Sequence, residues 1–122
     1  MKKLSEHFDE DEFKCPHCGE VKVNPVLVET LEDIRKYTDI PMKITSGYRC
    51  AAHNAAVGGK PSSAHLAGDA ADFAVFSDKD RFKFLEAIFI YGPVRIGIGK
   101  DFIHVDVSLT LPHEVVWAYG ND

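Results

Sequence analysis

The sequence predicts an α+β fold: a small antiparallel sheet with helices packed on one side and a cleft on the sheet's open face. Three observations predict it. Two stretches carry apolar residues at helical spacing behind capping residues, Asn24-Pro25 and Ser77. Stretches 42–46, 72–76, 94–99 and 102–107 alternate or run apolar, as strands do. Only Gly99-Lys100-Asp101 separates the last two of these, which makes them a hairpin.

The chain has 122 residues, 45% of them hydrophobic, enough for one domain over residues 1–122 with a core that needs no disulfides. Net charge is −5, with acids and bases mixed along the chain. A general nucleic-acid binder would carry a basic patch, so no nucleic-acid partner is expected. Met1-Lys2-Lys3 is followed by no apolar run, and no stretch reaches transmembrane length. The expectation is a monomer made in the cytoplasm, without a membrane partner.

In order along the chain, Phe8 and Phe13 are expected to pin an N-terminal segment onto the core, and Asp9-Glu10-Asp11-Glu12 reads as a solvated helix start. The first long helix opens with Asn24 as N-cap and Pro25 at the first helical position. Leu27, Val28, Leu31 and Ile34 form its apolar face, and it runs to about Thr38 before the break at Pro41. Met42 to Ser46 alternates as a strand, Ala51 to Val57 suits one or two helical turns, and Gly58 to Ser63 is a loop by composition. Asp72 to Phe76 reads as a central strand. Ser77 caps the second long helix, with Asp80 completing a weak capping box and Phe82, Leu85, Ile88 and Phe89 as its apolar stripe. It ends at Tyr91-Gly92-Pro93. On the last strand His104, Asp106 and Phe102 share one face, while Ile103, Val105 and Val107 share the core face. In the tail His113 reads as surface, and Val115, Val116 and Trp117 close the core or the rim of the cleft.

Chemistry concentrates in Ser62 to Phe73, which places His65 and Asp72 seven residues apart with Gly68, Ala70 and Ala71 between them. Imidazole and carboxylate both suit a borderline cation such as zinc. A carboxylate at the head of a buried strand is costly unless it is paired or metal-bound, which favours Asp72 as a ligand. Asp69 is the rival, but sharing a helix face with His65 would require a helix across Gly68. His104 is the best third ligand. Two His and one carboxylate leave zinc a position for water, the layout of a catalytic site.

Ser63-x-His65-x-x-Gly68-x-Ala70-x-Asp72, followed by an acid three residues before His104, resembles the zinc D-Ala-D-Ala carboxypeptidase family in its compact branch. Ser46-Gly47-Tyr48-Arg49 and Asn54 are also similar, and the resemblance runs from about Phe8 to Trp117. It implies a zinc metallopeptidase that cleaves peptidoglycan stem peptides, as a D-Ala-D-Ala carboxypeptidase or an L-Ala-D-Glu-type endopeptidase of the kind found in phage lysins. It further implies that Asp101 is the general base and Arg49 the cation facing the substrate carbonyl. Strict strand parity points Asp101 away from His104, so it reaches the site only because it lies in the turn. Asp106 is the rival base, read instead as the partner that orients a ligand. Ser63 is read as a positioning residue near substrate or His65. A wall-cutting enzyme without an export signal would reach its substrate by phage-type release.

Cys15-Pro16-His17-Cys18 forms a knuckle, and Cys50-Ala51-Ala52-His53 repeats its spacing. Cys15, Cys18, Cys50 and His53 therefore read as a second, structural zinc site, with His17 as a substitute for His53. Free buried thiols or one disulfide are the bland alternatives. Two other classes of function stay open: a non-catalytic zinc-stabilised module that binds wall peptide or a phage structural protein, and another zinc hydrolase such as an amidase. The module would need neither Asp101 nor Arg49.

Overall fold

The computed structural model describes residues 2–92 and 95–120. After a 3-10 turn at Glu10–Phe13 come α1 (Pro25–Thr38), β1 (Ile44–Ser46), α2 (Ala51–Ala56), a 3-10 turn at Ala64–Ala67, β2 (Ala70–Ala74), α3 (Asp78–Tyr91), β3 (Arg95–Ile98), β4 (Phe102–Asp106) and β5 (Val115–Ala118). Pro93 and Val94, expected at the helix end and strand start, lie outside the described residues.

The caps act as their chemistry dictates. The Asn24 side chain accepts from Val26 N–H, and Ser77 accepts from Asp80 N–H. The N-terminal acidic run forms a short 3-10 turn in which Asp9 N–H donates to Glu12 at 2.7 Å. Phe8 and Phe13 are buried with their rings 6.1 Å apart. Further in, the Glu32 carboxylate of α1 is buried and takes hydrogen bonds from Ser5 and His7, which holds the chain's start against the helix. Burial works against ionisation of Glu32, but those hydrogen bonds outweigh it and lower its pKa.

The fold is α+β, with a five-stranded sheet in the order β1-β2-β4-β3-β5. The first three pairings are antiparallel, but β5 pairs parallel with β3. The sheet is therefore mixed, where the sequence predicts an antiparallel one. β5 was legible only as an apolar tail, because its partner is chosen across a connection that carries no periodicity of its own. One sheet face, with Ala71, Phe73, Ile96, Ile103 and Val105, packs against Leu27, Leu31 and Ile34 of α1 and Phe84, Ala87 and Ile88 of α3. α2 contributes nothing to this cluster.

Two expectations shift. β2 covers 70–74 rather than 72–76, so Asp72 lies mid-strand, and Phe76 is exposed. Helix α3 buries Phe84, Ala87 and Ile88, while Phe82 and Phe89 face solvent. Its apolar residues lie nearly all round, so periodicity allowed two faces; of the expected stripe Ile88 is buried and Leu85 packs on the core, while Phe84 and Ala87 take the places expected of Phe82 and Phe89.

Candidate active site

The cleft face of the sheet is built from one row of residues in register. Ser46 pairs with Asp72, Asp72 with His104, His104 with Gly97, and Gly97 with Trp117. A parallel row joins Ala70, Asp106, Arg95 and Val115. Because side chains alternate along strands, Asp72, His104 and Asp106 all rise from the face opposite the core.

His65 reaches this row from the 3-10 turn. Ser63 caps that turn, its hydroxyl accepting from His65 N–H at 3.2 Å. Gly68 ends the turn at φ +76°, a left-handed conformation, and a Cβ there would sit 2.6 Å from Lys22 O. The chain thus turns directly from His65 into β2. Asp69, the rival ligand, is taken by Asn24, whose amide donates to it at 3.1 Å.

His65, Asp72 and His104 are all buried, and one ligand atom from each lies within 4.8 Å of the others. His65 Nδ1 is 2.7 Å from Gly47 O, and its Nε2 is 3.4 Å from Asp72 Oδ1. His104 Nδ1 is 2.8 Å from Asp72 Oδ1, and its Nε2 is 2.7 Å from Asp106 Oδ2. A carbonyl only accepts, so His65 Nδ1 carries the proton and Nε2 turns a lone pair on a carboxylate. Two acceptors facing each other need a proton or a metal cation between them. Tetrahedral zinc, with bonds of about 2.0–2.2 Å, sets such atoms about 3.4 Å apart. The His65–Asp72 spacing matches that, and the His104–Asp72 spacing is that of a hydrogen bond. The donor set and geometry fit a metal of zinc's type.

His104 sits between two carboxylates, and that governs the electrostatics of the cluster. Burial would raise the pKa of Asp72, but the neighbouring His104 and His65 imidazoles hold it well below the usual carboxylate range. Burial also works against a charged His104, and the carboxylates of Asp106 and Asp72 overcome it and raise its pKa. Asp106, 1% exposed, is itself held by Arg95 Nε at 3.1 Å and by Ser108 N–H at 3.2 Å.

Arg49 lies at the rim with Nη2 3.5 Å from Asp72 Oδ2. Its guanidinium is fixed by donation to Ser46 Oγ at 3.1 Å and to Asn54 Oδ1 at 3.3 Å. Asn54 is buried in α2 and donates to Lys60 O, so the short helix braces Arg49. Asp101 is exposed in the hairpin turn, and its side chain makes no ion pair or hydrogen bond among the described residues. It lines, with Asp72, Lys43, Thr45 and Phe102, a cleft of about 420 Å³.

An aromatic wall that sequence reasoning only partly found flanks His104. The Trp117 ring lies 5.3 Å from the His104 ring and 5.1 Å from the Arg95 guanidinium, with Tyr119 beside it at 6.0 Å. Gly97 makes the room: a Cβ there would come 2.7 Å from Tyr119 and 2.8 Å from Trp117. Gly97, Arg95 and Tyr119 left no sequence signal, since each matters only through cross-strand neighbours.

The three cysteines are free, and their sulfurs form a second group within 4.8 Å of one another. Burial works against the Cys15 thiolate, but backbone N–H groups of Cys50, Cys18 and His17 outweigh it and lower its pKa to about 6. Among the described residues no helix is long and apolar enough to cross a membrane.

Residues 6–106 match the family model for Peptidase M15. No curated protein matches the chain.

Proposed function

The chain belongs to the peptidase M15 family, and from that premise we propose that it is a zinc-dependent peptidase acting on peptidoglycan stem peptides. The bond cut is either the terminal D-Ala-D-Ala bond or the L-Ala-D-Glu bond. The whole chain serves as one peptidase domain and works as a monomer, reaching the wall after phage-type release.

The observation that carries this reading is the convergence of His65 Nε2, Asp72 Oδ1 and His104 Nδ1, with both outer imidazole nitrogens already held. These three residues would hold the zinc. Zinc bound there supplies Lewis acidity towards a peptide carbonyl and acidifies water. Asp106, accepting from His104 Nε2–H, would let Nδ1 give up its 2.8 Å hydrogen bond to Asp72 and turn its lone pair on a metal, and Gly47 O does the same for His65 Nε2. Ser63 positions His65 by capping its turn. Arg49, pinned by Ser46 and Asn54, offers a cation to charge growing on the carbonyl oxygen. Asp101, on the wall of the same cleft as Asp72, takes a proton from water and passes it to the leaving amine. That cleft of about 420 Å³, lined by Asp72 and Asp101 but not by His65 or His104, is of a size for a short peptide beside Asp72.

The test is incubation of zinc-loaded protein with defined muropeptides and analysis of products by mass. Loss of one terminal alanine identifies a carboxypeptidase, and a split between L-Ala and D-Glu identifies an endopeptidase. His65→Ala should give neither product. Unchanged muropeptides after incubation with folded, zinc-loaded wild type would remove the catalytic reading and leave the binding module.

A further inference from the structure

We propose that Cys15, Cys18 and Cys50, with Nδ1 of His17 as fourth ligand, form a structural zinc centre that braces the wall of the cleft. It is separate from the His65/Asp72/His104 cluster and stands whether or not the chain is a peptidase.

The distances carry the assignment. Tetrahedral zinc with Zn–S of about 2.3 Å places thiolates about 3.8 Å apart, and an imidazole nitrogen about 3.6 Å from each sulfur. The three sulfurs here lie within 4.8 Å of one another; His17 Nδ1 stands outside that group but 3.5 Å from Cys50 Sγ, so the fourth bond needs a small shift of its ring towards Cys15 and Cys18. The sequence spacing favours His53 as the fourth ligand. In the fold Cys50 caps α2, so what His53 offers Cys50 is its backbone N–H, at 3.4 Å. The His53 ring stacks on that of His17, with centroids 6.5 Å apart. His17, inside the knuckle, turns its Nδ1 towards Cys50 Sγ instead.

The backbone supports a metal knuckle. Gly19 N–H donates to Cys15 O at 2.9 Å, which folds residues 15–19 back on themselves, and Cys50 N–H points at Cys15 Sγ from 3.5 Å. Such donors stabilise thiolates, the form that binds zinc.

The position gives the centre a task. Tyr48 N–H donates to Phe13 O at 2.8 Å, so residues 13–18 lie along residues 47–50. That second segment supplies Gly47 O to His65 Nδ1 and carries Arg49, whose own N–H donates to His65 O at 3.2 Å. No helix or strand covers residues 14–24 or 47–50. A metal crosslinking Cys15 and Cys18 to Cys50 would hold these two irregular segments together, and its binding energy would become folding energy.

Cobalt titration of reduced, chelator-treated wild-type protein tests this without relying on activity. Thiolate ligands give cobalt a sulfur-to-metal charge-transfer band that a His/Asp/His site lacks. The band should appear in wild type and persist in His65→Ala. His17→Ala should weaken metal binding at this centre by roughly tenfold or more, at least the cost of losing an outer partner, while His53→Ala should leave it unchanged. Cys18→Ser should lower thermal stability and remove one metal equivalent. Cobalt-loaded wild type without the band, or a Cys–Cys disulfide in its place, overturns the centre even if Cys18→Ser fails to fold. A loss on His53→Ala and none on His17→Ala overturns the fourth ligand.

Discussion

Replacing Asp106 by Asn probes how the fold sets the chemistry of His104. Asp106 accepts from three donors: His104 Nε2 at 2.7 Å, Arg95 Nε at 3.1 Å and Ser108 N–H at 3.2 Å. An amide has one acceptor oxygen. Turned to Arg95 and Ser108, it presents its NH₂ to His104 Nε2, which must then accept. The imidazole proton moves to Nδ1, the atom facing Asp72, and that atom is lost to a metal. Loss of such an orienting partner costs about 10–100-fold in metal affinity, or about 1.4–2.7 kcal/mol. Stability should fall as well, by about 1.5–3 kcal/mol, the net worth of a hydrogen bond to a charged group. A domain of ordinary stability survives that. The assay is metal titration read by Trp117, the only tryptophan in the chain, whose ring is 5.3 Å from His104. Its emission reports on the His104 centre. A folded variant that binds zinc at the Trp117-reported site as tightly as wild type would refute the tautomer argument.

Asp101→Asn should leave metal content and thermal stability intact and cut turnover by about 10²-fold or more; near-normal turnover on muropeptides would return the role of base to Asp106. Gly97→Ala drives a Cβ to 2.8 Å from Trp117 and should cost about 1–3 kcal/mol by overpacking. Unfolding curves together with a shift in Trp117 emission check this, and unchanged values for both would mean that the aromatic wall is not packed as described. Glu32→Gln tests the N-terminal clasp through pH. The pKa of Glu32 is lowered in the fold, so its charge stabilises fully above its ordinary 4.5, and that stabilisation is lost as pH falls through the lower folded value. The stability gap between variant and wild type should therefore be widest near neutrality and close below about pH 4.5; a gap that is constant with pH would show that Glu32 acts through packing alone.

Several features were legible in the sequence because their causes are local. Asn24-Pro25 and Ser77 start their helices with hydrogen bonds that close within three residues, so the caps read directly from residue type. His65, Asp72 and His104 were named from their chemistry, and the fold brings those three side chains together. Cys15, Cys18 and Cys50 were grouped by spacing, and their sulfurs do converge. The antiparallel β3–β4 hairpin followed from its short turn.

Only the tertiary structure could decide what depends on partners far apart in the chain. Strand register sets the row Ser46, Asp72, His104, Gly97 and Trp117, and no short window of sequence contains it. The parallel pairing of β5 with β3 belongs to the same class, as does the choice of which apolar face of α3 meets α1. The tautomer of His65 depends on Gly47 O, 18 residues away in the chain. That His17 Nδ1 comes within 3.5 Å of Cys50 Sγ, 33 residues away, is likewise a matter of tertiary packing. Residue type and spacing state which groups are able to bind or react, because those are properties of side chains and short segments. Which of them meet, and through which atom, is settled by hydrogen bonds and packing between segments that the chain itself holds apart.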